Sequence, residues 1–108
     1  MSAMIKGEMP WDQQAFSGYA DGLALATQLD VVRGFAPGTE GGKTKAKAKV
    51  WNDLEGFKKD WNESAQESAK LAQVAASGDK AAIVAQFKET GGTCKGCHDE
   101  FKSKEYLN

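Results

Sequence analysis

The chain reads as all-α, a four-helix bundle whose first helix is reduced to a stub. Three observations predict this. Apolar residues recur at steps of three and four along most of the 108 residues. No run of alternating β-branched residues and no hairpin turn signal interrupts them. The two prolines, Pro10 and Pro37, stand where helices would break.

Residues 1–9 read as the end of a helix, with Gly7 closing it and Pro10 opening the next. The second helix is expected over 11–31, with Phe16, Tyr19, Leu23, Ala26 and Leu29 or Asp30 forming one apolar stripe. Ala20, Ala24 and Ala26 favour it, while Gly18 and Gly22 weaken it. Residues 33–43 contain four glycines and Pro37, so they form a loop, and Phe35 is the large apolar group that tucks inward.

The third helix is the clearest and spans 46–76. Val50, Trp51, Leu54, Phe57, Trp61, Ala65, Ser68, Ala72 and Ala75 follow the alternating step of a bundle. Ser77 and Gly78 end it, and Asp79 is placed to cap the next helix by accepting free amides. The fourth helix is expected over 79–106. Ile83 or Val84, Phe87, Gly91, Cys94, Cys97 or His98, and Phe101 share its stripe, and Gly91-Gly92 is a point of kinking or brief rupture.

Composition sets bounds on function. Hydrophobic residues make up 41% and charged residues 27%, which suits a single domain over 1–108 with one modest core. The formal net charge is −1, so nucleic acid is not an expected partner. Lys43, Lys45, Lys47 and Lys49 alternate with Thr44, Ala46 and Ala48 and read as a solvated loop and helix start. No stretch of about 18 apolar residues is present, so no membrane insertion is expected. The N-terminus lacks a basic start followed by an apolar run, so it is not a signal peptide.

The chain has two cysteines and one histidine, and all three lie within Cys94-Lys-Gly-Cys97-His98. C-x-x-C-H is the attachment signature of c-type haem. On a helix, residues i, i+3 and i+4 share a face, so Cys94, Cys97 and His98 project together. Cys94 and His98 are about 6 Å apart along the axis. Two thiols can form thioethers with the vinyl groups of a haem edge, and His98 can place a nitrogen under the iron. Gly96 leaves room where the porphyrin edge nears the backbone.

Other chemistries fit less well. A thioredoxin-type dithiol belongs in a βαβ unit, which is missing. A structural zinc ion wants four ligands, and the chain offers three. A disulfide across one helical turn is geometrically poor and leaves His98 unexplained. Two buried thiols beside a stray histidine are the plain alternative.

Lys6-Gly7 with Pro10 and Asp12, the Phe35 loop ending Pro37-Gly-Thr-Glu-Gly-Gly, the W-N-D-L-E-G-F run from Trp51 to Phe57, and the C-K-G-C-H-D run from Cys94 to Asp99 together resemble the cytochrome c′ family. The resemblance implies a four-helix bundle, a homodimer in the bacterial periplasm, and one covalent haem c whose iron is often five-coordinate. It also implies binding of nitric oxide and carbon monoxide, or electron transfer with a redox partner protein. Family members carry most of a first helix ahead of the segment matching residues 1–7. That helix supplies the residue facing the open side of the iron, so no such residue is carried over. Export is expected to depend on a signal peptide outside the chain.

The resemblance also places Phe35 and Phe57 near the haem, Lys43 near a propionate, and Lys102 beside the His-ligated side. Lys102 lies four residues after His98, on the same expected helix face. Trp51 and Trp61 read as core or interface. Met1, Met4 and Met9 are the candidate second axial ligands, and one of them there would make a six-coordinate, low-spin electron carrier. An open or weakly filled position, suited to gases, is the preferred reading. No additional histidine, arginine or acid set suits peroxide activation, so the chain is not expected to be an enzyme.

Overall fold

A computed structural model describes residues 1–41 and 44–103. The elements are helix α1 (Ser2–Ile5), α2 (Gln13–Thr27), a 3-10 turn (Val31–Phe35), α3 (Lys49–Asn52), α4 (Leu54–Ser77) and α5 (Lys80–Phe101). Helix α4 is central and packs against both α2 and α5. Among the described residues there is no strand, and the only bridge pairs Ala46 with Lys102. None of the described helices is long and apolar enough to cross a membrane.

Capping side chains set the helix starts. Asp12 accepts from the Ala15 amide at 3.0 Å, so α2 begins after it rather than at Trp11. Helix α2 ends at Thr27, and Val31 belongs to the 3-10 turn that follows. Asp79 accepts from the Ala82 amide at 3.3 Å and caps α5. Gly7 and Gly78 have φ of +77° and +78°, the left-handed geometry that ends α1 and α4.

The long third helix expected over 46–76 is two helices. Asp53, at φ −129° and ψ 59°, breaks the run, and its carboxylate accepts from the Gly56 amide at 3.1 Å to start α4 afresh. A side chain at Gly56 would run into that carboxylate and push it from its capping position. Residues 46–48 are extended or turning because they are tied to the end of α5. Helix α5 stops at Phe101, where Lys102 turns extended to form the bridge with Ala46. Positions 104–106 of the expected helix lie outside the described residues. Gly91 and Gly92 neither break nor end α5, which runs through both.

The stripe read along α2 is rotated in the structure. Phe16, Ala20, Ala24 and Thr27 are buried, whereas Tyr19, Leu25 and Leu29 are 58%, 66% and 63% exposed. The small residues let α2 lie close to Ser64, Ser68, Leu71 and Ala75, the buried face of α4.

Among the described residues the interior has two apolar clusters. The first joins Met4, Phe16, Ala20, Leu71, Ala75 and Ile83, with Met1, Ile5, Trp11 and Phe87 packed around it. The second joins Val50, Phe57 and Phe101, with Phe35, Ala46, Trp51 and Cys97 around it. Between them, along α4 and α5, sits a polar waist. The Thr90 hydroxyl engages the carbonyls of Glu67 and Gln86 at 3.1 and 3.0 Å, and Gln86 Nε2 donates to the Glu67 carboxylate at 2.6 Å.

Candidate functional site

The C-x-x-C-H motif lies in the last two turns of α5, beside the second apolar cluster. Its spacing places Cys94, Cys97 and His98 along one side of that helix. Cys94 and Cys97 are half-buried free thiols and His98 is exposed. Cys97 and His98 line a pocket of about 320 Å³, together with Phe35, Val50, Phe57, Trp61, Phe101 and Lys102. Thr44, Lys45 and Ala46 complete its loop side.

Aromatic contacts build the apolar wall. Phe57 meets Phe35 at 5.0 Å and 87°, and Phe101 at 5.4 Å and 48°. Phe35 meets Trp51 at 5.3 Å and 63°. The wall is therefore a chain of rings from the loop, through α3 and α4, to the residue three positions after His98. Edge-on pairs of this kind add about 0.5–1.5 kcal/mol each beyond burial.

The end of α5 is clasped by the segment preceding α3. Lys47 N donates to Phe101 O at 2.7 Å, and Ser103 N donates to Lys45 O at 2.6 Å. The Lys102 amide donates to His98 O at 3.0 Å, so the last turn carrying the histidine is closed. Lys47 Nζ donates to the Asp99 carbonyl at 3.2 Å, and Lys49 pairs with Glu100 at 3.4 Å. The basic run is thus more than a solvated stretch, since two of its lysines serve the negative end of α5.

The electrostatics favour neutral sulfur. Burial, then Asp60, Cys94 and Glu100, push the Cys97 thiol up to about 11. Asp60 is itself raised, first by desolvation and then by Glu100 and Glu63. A thioether at this half-buried position would carry no charge to desolvate. Among the described residues no three His, Cys, Asp or Glu side chains converge as a metal shell. The donors are arranged along a helix turn instead, which fits separate attachment points on an extended planar group. On the solvent side, Lys95 Nζ meets Asp99 at 2.6 Å, and that hydrogen bond holds the Asp99 carboxyl below its ordinary value.

The pocket gathers Phe35, Phe57 and Lys102 with Cys97 and His98, while Cys94 is not among its lining residues. Lys102 reaches it differently from the expectation. It lies beyond the end of α5 in extended conformation, held by its amide and by the bridge to Ala46. Lys43 lies outside the described residues. Phe101 and Val50 are pocket residues that the sequence reading assigned only to stripes. Phe101 stands four residues after Cys97, a spacing that marks the same helix face. Trp61, read as core or interface, also lines the pocket.

The methionines do not approach. Met4 is buried in the first cluster and Met1 packs against it. Met9 is 53% exposed, with its amide bonded to Ala3 O in α1. None of the three lines the pocket. Met1 and Met4, the alternative axial ligands, sit with α1 in the first cluster.

The model of the family described as cytochrome c′ matches residues 1–102. The chain belongs to the cytochrome c′ family. Cytochrome c′ of Rubrivivax gelatinosus is 41% identical over 107 residues, covering 96% of this chain and 81% of that protein. Cytochrome c′ of Cereibacter sphaeroides is 38% identical over 107 residues, covering 96% of this chain and 71% of that protein. Among solved structures, cytochrome c′ from Shewanella frigidimarina superposes with a TM-score of 0.89 at 38% identity, covering 95% of this chain and 80% of that one. A nitric oxide complex of a leucine-to-alanine mutant of cytochrome c′ from Alcaligenes xylosoxidans superposes with a TM-score of 0.83 at 31% identity, covering 97% of this chain and 80% of that one. Cytochromes c′ are four-helix bundles that carry a covalently bound haem c.

Proposed function

We propose that this cytochrome c′ binds diatomic gases such as nitric oxide or carbon monoxide at a His98-ligated haem iron, and exchanges single electrons there. Cys94 and Cys97 are the two thioether attachment points. When bound, the haem supplies an iron centre for gas ligation and one-electron chemistry. The observation that carries this reading is the pocket in which Cys97 and His98 meet the ring wall of Phe35, Phe57 and Phe101. The wall gives one side of the motif an apolar surface, while His98 is exposed to solvent and so to a redox partner protein. The nitric oxide complex of the Alcaligenes relative supports the gas assignment. Lys102, at the pocket rim, shapes the His98 side. Lys43 is assigned to a propionate on the family resemblance alone.

The same reading makes the chain a binding and electron-exchange protein rather than an enzyme, matured in the bacterial periplasm. The exposed Tyr19 and Leu25 of α2, with Leu29 just beyond its end, suit pairing with a second copy. Sedimentation of a Leu25→Glu variant tests the homodimer, which should then run as a monomer.

The optical spectrum of the ferrous holoprotein, with and without carbon monoxide, tests the main assignment. A high-spin spectrum that shifts on adding the gas is the expected result. A sharp low-spin spectrum indifferent to the gas would overturn it. Loss of covalent haem in Cys94→Ser and Cys97→Ser variants, read by mass, tests the attachment points.

A further inference from the structure

Phe35 is the loop's aromatic contribution to the pocket, and its placement is inherited from a residue outside the pocket. Its ring is held between Trp51 at 5.3 Å and Phe57 at 5.0 Å, edge-on to both. Trp51 in turn donates its indole N–H to Thr39 Oγ1 at 2.9 Å. The Thr39 hydroxyl donates to Ala36 O at 2.6 Å, and the Thr39 amide donates to the same carbonyl at 3.1 Å. A threonine hydroxyl has one proton and two lone pairs, so donation to Ala36 leaves it free to accept from Trp51. Both bonds are made together.

Two described segments are tied to helices. Thr39 fastens the segment after Phe35 to α3 through Trp51, and Ala46 fastens the segment before α3 to the end of α5 through Lys102. Thr44 and Lys45 line the pocket just before the second tie, Ala46 lines it at that tie, and Phe35 lies before the first. Glu40 Oε2 accepts from the Gly38 amide at 3.0 Å, which tightens the turn that presents Thr39.

We propose that Thr39 is a positioning residue: by accepting from Trp51 it holds Phe35 edge-on against Phe57 and keeps the loop side of the pocket narrow to an incoming diatomic ligand. The proposal rests on the gas-binding reading above. Thr39 is exposed and belongs to neither apolar cluster, so its replacement removes no core side chain and acts on Phe35 through Trp51.

The test compares Thr39→Val, which keeps the shape and loses the acceptor, with Thr39→Ser, which keeps the hydroxyl. Carbon monoxide association with the ferrous holoprotein should speed up about threefold to tenfold in Thr39→Val, the range one net hydrogen bond can supply. Thr39→Ser should restore the original rate. Trp51→Phe should match Thr39→Val, and the double variant should add nothing further. An unchanged rate in Thr39→Val, or equal rates in the Val and Ser variants, would overturn the proposal. A second readout does not depend on the gas. The Trp51 indole proton should exchange with solvent faster in Thr39→Val, and unchanged exchange also overturns the latch. If the unmodified holoprotein takes up no carbon monoxide, the gas reading fails instead, and indole exchange alone then decides whether the latch exists.

Discussion

The amide of Lys47 donates to the carbonyl of Phe101 at 2.7 Å, across 54 positions of sequence, and this bond fastens the pre-α3 segment to the turn that carries His98. Lys47→Pro removes the donor and leaves the Phe101 carbonyl unpaired. The variant should lose about 1–3 kcal/mol of stability in urea unfolding. Lys47→Ala keeps the amide and loses only the side-chain contact to Asp99, so its loss should stay below about 1 kcal/mol. Equal losses would show that charge, not main-chain pairing, holds the clasp.

The ring wall depends on Phe57, which is 6% exposed and touches both Phe35 and Phe101. Phe57→Ala should cost about 3–5 kcal/mol by denaturant titration, combining lost burial with the cavity left behind. Phe57→Leu keeps most of the volume and should cost less than half as much.

Two glycines on helices should respond with opposite signs. Gly56→Ala displaces the Asp53 carboxylate that starts α4, so thermal stability should fall by about 1 kcal/mol despite alanine's better helix propensity. Gly91 in α5 has nothing within 4 Å of an added Cβ. Gly91→Ala should therefore stabilise by about 0.5–1 kcal/mol. Loss of stability at Gly91 would mean that a partner or the cofactor occupies that face.

Cys97 gives a pH signature to the haem-free chain. Its thiol is raised to about 11 in the fold, above an unfolded value of about 8.5. A raised acid favours the neutral form, so its contribution is complete below about pH 8.5 and is lost as pH rises toward 11. The urea midpoint of the haem-free chain should fall across that window, and Cys97→Ala should flatten this part of the profile. The holoprotein, with the sulfur in a thioether, should show no such fall.

Much of this molecule is determined locally. Cys94, Cys97 and His98 follow from one helical turn, because spacing of three and four residues sets their shared face whatever surrounds them. The all-α class and the caps at Asp12 and Asp79 are local too, since period and capping act within a few residues. What only the tertiary structure decides comes from contacts distant in sequence. The small side chains of Ala20 and Ala24 admit α4, and that packing turned Tyr19 and Leu29 outward against the apparent stripe. The Ala46–Lys102 bridge ended α5 at Phe101 and brought Lys102 to the pocket by an extended segment instead of a helix face. Phe101 and Trp61 became pocket residues because α4 and α5 meet there. Burial of α1 in the first cluster placed Met1 and Met4 away from the pocket that His98 lines, a choice that no local pattern encodes, because apolar burial is non-directional and is settled by which surfaces meet.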